Sequence, residues 1–235
     1  MSEIQLAIKW LMRFIPFFTF IVSIVNYKIF TIHLRIMAWY VFLVVIIQAI
    51  STSLAVQKIN NLFVVHILGI EEFTMMSLFF SHVLKEFIHP KKIYVLMGLF
   101  AVFAVVNAIY FQSLNIYPTH TRIVGAIIIV CYVLMSIYER FKQSEPNKLA
   151  NIFSYNLNRV SFFFIFTGIL LYYAGSILLF SISDDLLADP NLANINTKIW
   201  TGHRVWIIIH YTFIGIGLLL FKRKEMDWSK FRMVD

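Results

Sequence analysis

Seven stretches of mostly apolar residues, 8–27, 34–56, 61–84, 93–113, 121–139, 160–182 and 198–221, alternate with short polar segments along the chain. Each has close to the roughly 20 residues that a helix needs to cross the hydrocarbon of a bilayer. The turn and charge signals fall between them, in "QKINN", "KEFIHPKK", "NIYPTH", "ERFKQSEPNKLANIFSYNLNR" and "SDDLLADPNLANINTK". These connections are too short to fold by themselves. The pattern predicts an all-α, polytopic membrane protein of seven transmembrane helices, with residues 1–235 forming a single domain. The first stretch contains Pro16, and no small-residue cleavage site follows it, so it reads as a retained helix and not a signal peptide.

Composition agrees with this pattern. The chain is 60% hydrophobic and 14% charged, too little polar surface to cover a soluble domain of 235 residues. Fourteen of the 20 lysines and arginines fall on one set of alternate connections and the C-terminal tail. That bias places the N-terminus outside and the C-terminus in the cytoplasm. The net charge of +8 is therefore a topology signal and gives no reason to expect nucleic-acid binding. Trp10, Trp39, Tyr40, Tyr94, Tyr117, Tyr138 and Trp200 lie near the ends of the stretches, where amphipathic rings settle at the interface. The single cysteine, Cys131, excludes an intrachain disulfide framework.

Two stretches carry groups that lipid penalises. The third holds His66, Glu71, Glu72, Ser77, Ser81 and His82. At about 100° per residue, Glu71 and His82 share one face, His66 lies on another, and Glu72 is rotated from both. The polar groups must therefore meet more than one neighbouring helix. An ionised, unpaired carboxylate at mid-bilayer costs about 2.5–3.5 kcal/mol on insertion scales, so it either takes up a proton or finds a cation or donors. The seventh stretch, "KIWTGHRVWIIIHYTFIGIG", offers His203, Arg204 and His210, the two histidines on one face. Glu71 and Glu72 lie about 15 Å below the outer end of their helix, which makes His210 the depth-matched partner. Arg204 would have to reach down to them, and His66 matches the depth of His203 and Arg204. His66, Glu71, Glu72, His82, His203, Arg204 and His210 form the expected polar pocket. Asp184, Asp185 and Asp189 read as a solvated loop.

Several chemistries lack their motifs. The middle of the seventh stretch reads "IIIHYTF", without the lysine a retinal protein needs, and the His203–His210 spacing is not the HxxxH of seven-helix ceramidase-like hydrolases. No CxxC, GxGxxG, Walker loop or HExxH occurs. Haem ligation by His66 or His82 with His203 or His210 has weak support from spacing, and no cofactor or metal is expected. The segments "NNLFVVHILGIEEF", "FTGILLYYAGSILLF" and "IWTGHRVWIIIHYTFIGIGLLLF" resemble a group of small seven-helix integral membrane proteins of Bacteroidota-type bacteria. The resemblance implies a sensory or accessory module of the bacterial inner membrane, working with a separate signalling partner such as a histidine kinase. Output would pass through the basic connections and the tail "KRKEMDWSKFRMVD". An intramembrane enzyme or haem/metal protein using His and Glu groups, and a small-solute or proton-coupled transporter, are the alternative readings.

Overall fold

The structure is a computed structural model that describes residues 3–85, 87–142, 157–188 and 193–221. Seven helices long and apolar enough to cross a membrane account for most of it, with no strand among the described residues. They are α1 (Glu3–Asn26), α2 (Ile32–Val56), α3 (Leu62–Val83), α4 (Pro90–Val106), α5 (Thr119–Lys142), α6 (Leu157–Ala188) and α7 (Ala193–Leu220). In hydrocarbon every backbone N–H and C=O must be satisfied within the chain, and a helix does so residue by residue. For that reason α1 runs on through Pro16 without a break. Pro90 sits at the first turn of α4, where no N–H is needed, and His89 Nδ1 caps that turn by accepting from the Lys91 N–H.

Helices α1, α2, α3, α5, α6 and α7 pack in a closed ring, each against the next and α7 back against α1. Helix α4 stands outside this ring against α3 and α5, and buries only Ile93, Phe100 and Ala104. Contacts between the connections fix the two ends of the bundle. At the N-terminal face, the Asn60 side chain donates to that of Asn115, and Tyr117 lies against Phe180 and Trp200. At the C-terminal face, Phe30 meets Phe221, and His33 meets Phe79 and Phe162.

The tightest seam is α6 against α7. A Cβ on Gly217 would lie 2.5 Å from Ile165 and 2.7 Å from the Ser161 carbonyl oxygen, and one on Gly168 would lie 2.7 Å from Phe213. Only glycine permits this approach, which lets Ser161 Oγ donate to the Gly217 carbonyl at 2.6 Å. Lipid supplies no hydrophobic force between helices, so such close contact is what holds a membrane bundle together.

The expected spans match these helices to within a few residues at their apolar ends, with two corrections. The fourth, expected to reach residue 113, leaves the α-helix after Val106 for the turn Asn107–Phe111, and the loop before α7 is shorter than expected. Residues 183–197 were expected to form a polar loop, but α6 continues to Ala188 and α7 begins at Ala193. Helical hydrogen bonding persists past the apolar stretch because Pro190 is the first strong breaker. Asp189, most of the 140–159 connection and the tail from Lys222 lie outside the described residues, as do the side chains of Asp184 and Asp185.

Candidate functional site

The site is built from the loop downward. Helix α4 ends in a π-turn, Asn107–Phe111, closed by the Gln112 N–H on the Asn107 carbonyl at 2.7 Å. Below that turn, Asn107 Nδ2 donates to Gln112 Oε1 at 2.9 Å and to Thr121 Oγ1 at 3.1 Å. Gln112 Nε2 donates to Thr119 Oγ1, and its Oε1 accepts from the His120 N–H at 3.2 Å. On the facing helix, His66 Nε2–H donates to the Ile116 carbonyl at 2.9 Å. These buried bonds fix the start of α5, whose first turn closes with Arg122 N–H on the Pro118 carbonyl at 3.0 Å.

Arg122 is the residue so positioned. Its side chain runs inward along α3 across Gly69, where an added Cβ would touch Nε at 3.4 Å, and its guanidinium pairs with Glu72. Both partners are buried, with side chains 8% and 6% exposed. Arg122 Nη2 also faces the Val65 carbonyl at 3.5 Å. Glu71 lies beside the pair with both carboxylate oxygens buried and without a hydrogen-bond partner. Arg122 Nε, His203 Nδ1 and the Tyr173 hydroxyl are also buried without one. Two carboxylates thus share the neighbourhood of one guanidinium.

Below and beside the pair lies a layer of tyrosines and histidines. His210 Nδ1 faces the Gly168 carbonyl at 3.1 Å; a carbonyl only accepts, so Nδ1 carries the proton. In the neutral ring Nε2 then accepts from the Tyr40 hydroxyl at 3.1 Å, and Tyr40 accepts from Tyr211 at 3.0 Å. Helices α2, α6 and α7 are joined by this directional chain. His203 is enclosed by the rings of Tyr172, Phe180 and Trp200, with centroids 5.3 to 5.8 Å away. Tyr117, in the connection before α5, closes the top. Burial pushes its phenol up to about 12, with Glu72 adding to the rise and Arg122 opposing it.

Toward the C-terminal face this polar layer gives way to rings. Phe79, Phe80, Tyr132, Phe162 and Phe166 contact one another across α3, α5 and α6 with centroids 5.0 to 6.4 Å apart. At this level Ser136 donates to the Tyr132 carbonyl of its own helix at 2.8 Å, and Ser81 to that of Leu78 at 2.8 Å, with the Tyr94 hydroxyl of α4 3.3 Å from Ser81 Oγ. Ser136, bonded this way, spends its one proton within its own helix.

The pairing expected from depth is corrected. Neither glutamate bonds to α7: Glu72 takes Arg122 of α5, a residue outside the expected pocket, and His210 is committed to Tyr40 and Gly168. Depth matching by Cα level failed because an arginine at the edge of a span reaches well along a neighbouring helix. His66 binds the 112–118 connection and not His203 or Arg204. Arg204 is half-buried, next to His203 in the chain. His82, half-buried near the C-terminal end of α3, lies about 15 Å along the helix from Glu72 and takes no part in the site. His66, Glu71, Glu72 and His203 therefore gather near Arg122, whereas His82 stands apart. Among the described residues no group of three His, Cys, Asp or Glu side chains could hold a metal ion. No family model, no curated protein and no solved structure matches this chain.

Proposed function

We propose that this chain is a sensory module of a bacterial inner membrane, N-terminus outside, that converts a change of charge at Glu71, Glu72 and Arg122 into a shift of α3 against α5. The observation that carries this reading is the shared guanidinium. Arg122 pairs with Glu72 while the neighbouring Glu71 carboxylate is buried without a partner. Two arrangements of one cation between two carboxylates make a two-state element, which a proton or a small charged ligand biases by favouring one of them. The lower half of α3 is ring-packed against α6 through Phe79, Phe80 and Phe166, so a shift of α3 carries to the C-terminal face. A separate signalling protein such as a histidine kinase would read it there. The ring layer beneath the site favours this reading over a transport path.

Spin labels on Cys131, which is exposed on α5, and on Ile67→Cys, at an exposed position of α3, test this in nanodiscs. Competition predicts that Glu72→Gln hands Arg122 to Glu71 and yields a second, discrete α3–α5 distance, whereas Glu71→Gln retains the first. A single unchanged distance in Glu72→Gln, with loss of stability only, would show a purely structural pair and sink the sensory reading. The lysine and arginine bias supports the orientation; reporter fusions after Asn60 and Tyr117 should report the outside, and one after His89 the cytoplasm.

A further inference from the structure

The lipid-facing side of α1 and α2 carries a feature that the interior site does not use. Between them lies a cleft of about 370 Å³ lined by Phe20, Ile24, Tyr27, Lys28, Trp39 and Phe42, among others. Its walls are pre-ordered by ring contacts: Phe20 stacks on Phe42 at 5.5 Å, and Trp39 meets Phe42 edge-on at 5.4 Å. At the C-terminal face the Trp39 indole N–H donates to the Tyr27 hydroxyl at 3.1 Å, a polar pairing of amphipathic rings that marks headgroup level. The Arg35 guanidinium lies over the Tyr27 ring, 5.5 Å from its centroid, and Lys28 lines the cleft beside it. Both cations are exposed, and the sequence has no acidic residue from Ile4 to Ile70, so neither α1 nor α2 has a carboxylate to neutralise them after Glu3.

An apolar cleft with two exposed cations at its headgroup end, neither in an ion pair among the described residues, is complementary to one molecular class. We propose that this cleft is a binding site for a single anionic phospholipid, with its phosphate on Lys28 and Arg35 and an acyl chain along Phe20, Ile24 and Phe42. Guanidinium and ammonium groups both bind phosphate, and the fixed position of Arg35 over Tyr27 limits the ordering needed when the headgroup arrives. A zwitterionic lipid fills the same cleft but brings its own cation to the rim. The site is independent of the sensory reading, since neither Arg122 nor Glu72 enters it.

The test uses the full chain in neutral detergent micelles, titrated with phosphatidylglycerol or phosphatidylcholine of identical acyl chains and weighed by native mass spectrometry. One phosphatidylglycerol should be retained at a concentration about tenfold or more below that needed for phosphatidylcholine. Lys28→Gln/Arg35→Gln should abolish the difference, and because both side chains are exposed the fold is unaffected. Ile24→Trp, at a position 58% exposed, fills the cleft from the lipid side and should lower phosphatidylglycerol retention with both cations in place. Inorganic phosphate should not displace the lipid. Equal retention of the two lipids, or a preference surviving the double substitution, overturns the proposal. So does an Ile24→Trp variant that binds normally, which would indicate diffuse attraction to a basic surface, and so does displacement by millimolar phosphate, which would indicate a free-anion site.

Discussion

The two halves of the bundle solve the same problem by opposite means. Toward the N-terminal face the interior is polar and paired: Glu72 with Arg122, Asn107 with Gln112 and Thr121, His66 with a loop carbonyl. Toward the C-terminal face it is filled with the rings of Phe79, Phe80, Phe162 and Phe166. In the ring-filled half a lost contact forfeits packing alone. In the polar half it also strands a partner in low dielectric, where the penalty belongs to the group left behind. Specific geometry is therefore concentrated at the polar end and close packing at the other.

That contrast is broken most severely by removing the cation. Arg122→Met leaves Glu72 buried without its partner and should cost about 3–5 kcal/mol. Glu72→Gln/Arg122→Met should recover much of that loss, because the stranded charge and not the missing attraction dominates. Unfolding of the four corners of this cycle in nanodiscs measures the coupling. Equal instability in the double variant and in Arg122→Met would show that the guanidinium holds the helices chiefly through its other contacts, along Gly69 and to the Val65 carbonyl.

The opposite half should yield less. Phe166→Ala opens a gap between Phe79, Phe80 and Phe162 and should cost about 3 kcal/mol, the low end for such a truncation. A chain unfolded within the bilayer already keeps its rings in hydrocarbon, so only packing is lost. The spin-label distance from Cys131 to the Ile67→Cys site, at the polar end, should stay fixed if the halves are separable in this direction. A change there would mean that the ring layer sets the polar geometry.

How much of this could be read from the chain differs between the same two halves. Seven spans are written in apolar runs, and length alone decides them. That Glu72 needs a partner is legible too, since two carboxylates in an apolar run demand explanation. The partner is not legible, for two physical reasons. Arg122 sits one turn inside its helix, where an arginine ordinarily snorkels outward, and in an apolar-all-round helix periodicity does not show which face meets which neighbour. The direct α3–α5 contact, with α4 displaced to the outside, is a property of the ring and not of any segment. The tyrosine layer was hidden in the same way: Tyr40 read as an interfacial ring but is 1% exposed and bonded to His210 and Tyr211.

A finer test lies at the boundary between the halves. Tyr40→Phe removes the hydroxyl that both donates to His210 and accepts from Tyr211. Measured interhelical hydrogen bonds in membranes average about 0.6 kcal/mol, so a loss of about 1 kcal/mol is expected, with both partners left buried. Replacing the ring by Leu as well should cost several times more, since Tyr40 stacks on Tyr211 at 6.1 Å. If Tyr40→Phe is neutral, the chain joining α2 to α7 is held by ring packing alone.

The smallest effect locates the top of the polar half. Tyr117 lies in the connection before α5, its ring 5.0 Å from that of Trp200 and 5.7 Å from that of Phe180. Burial raises its phenol from an ordinary 10.0 to about 12 in the folded protein. The folded state thus holds the phenolic proton more tightly than the unfolded state does. Its contribution to stability is fully present below pH 10, and is lost progressively as pH rises from the unfolded value through the folded one. The wild type should therefore destabilise more steeply than Tyr117→Phe between pH 10 and 12, while the two run parallel below pH 9. Subtracting the variant removes the contribution of lysines that titrate in the same interval. Curves that stay parallel up to pH 12 would place the Tyr117 hydroxyl in water, and the dry interior above Arg122 would then begin below the connection and not within it.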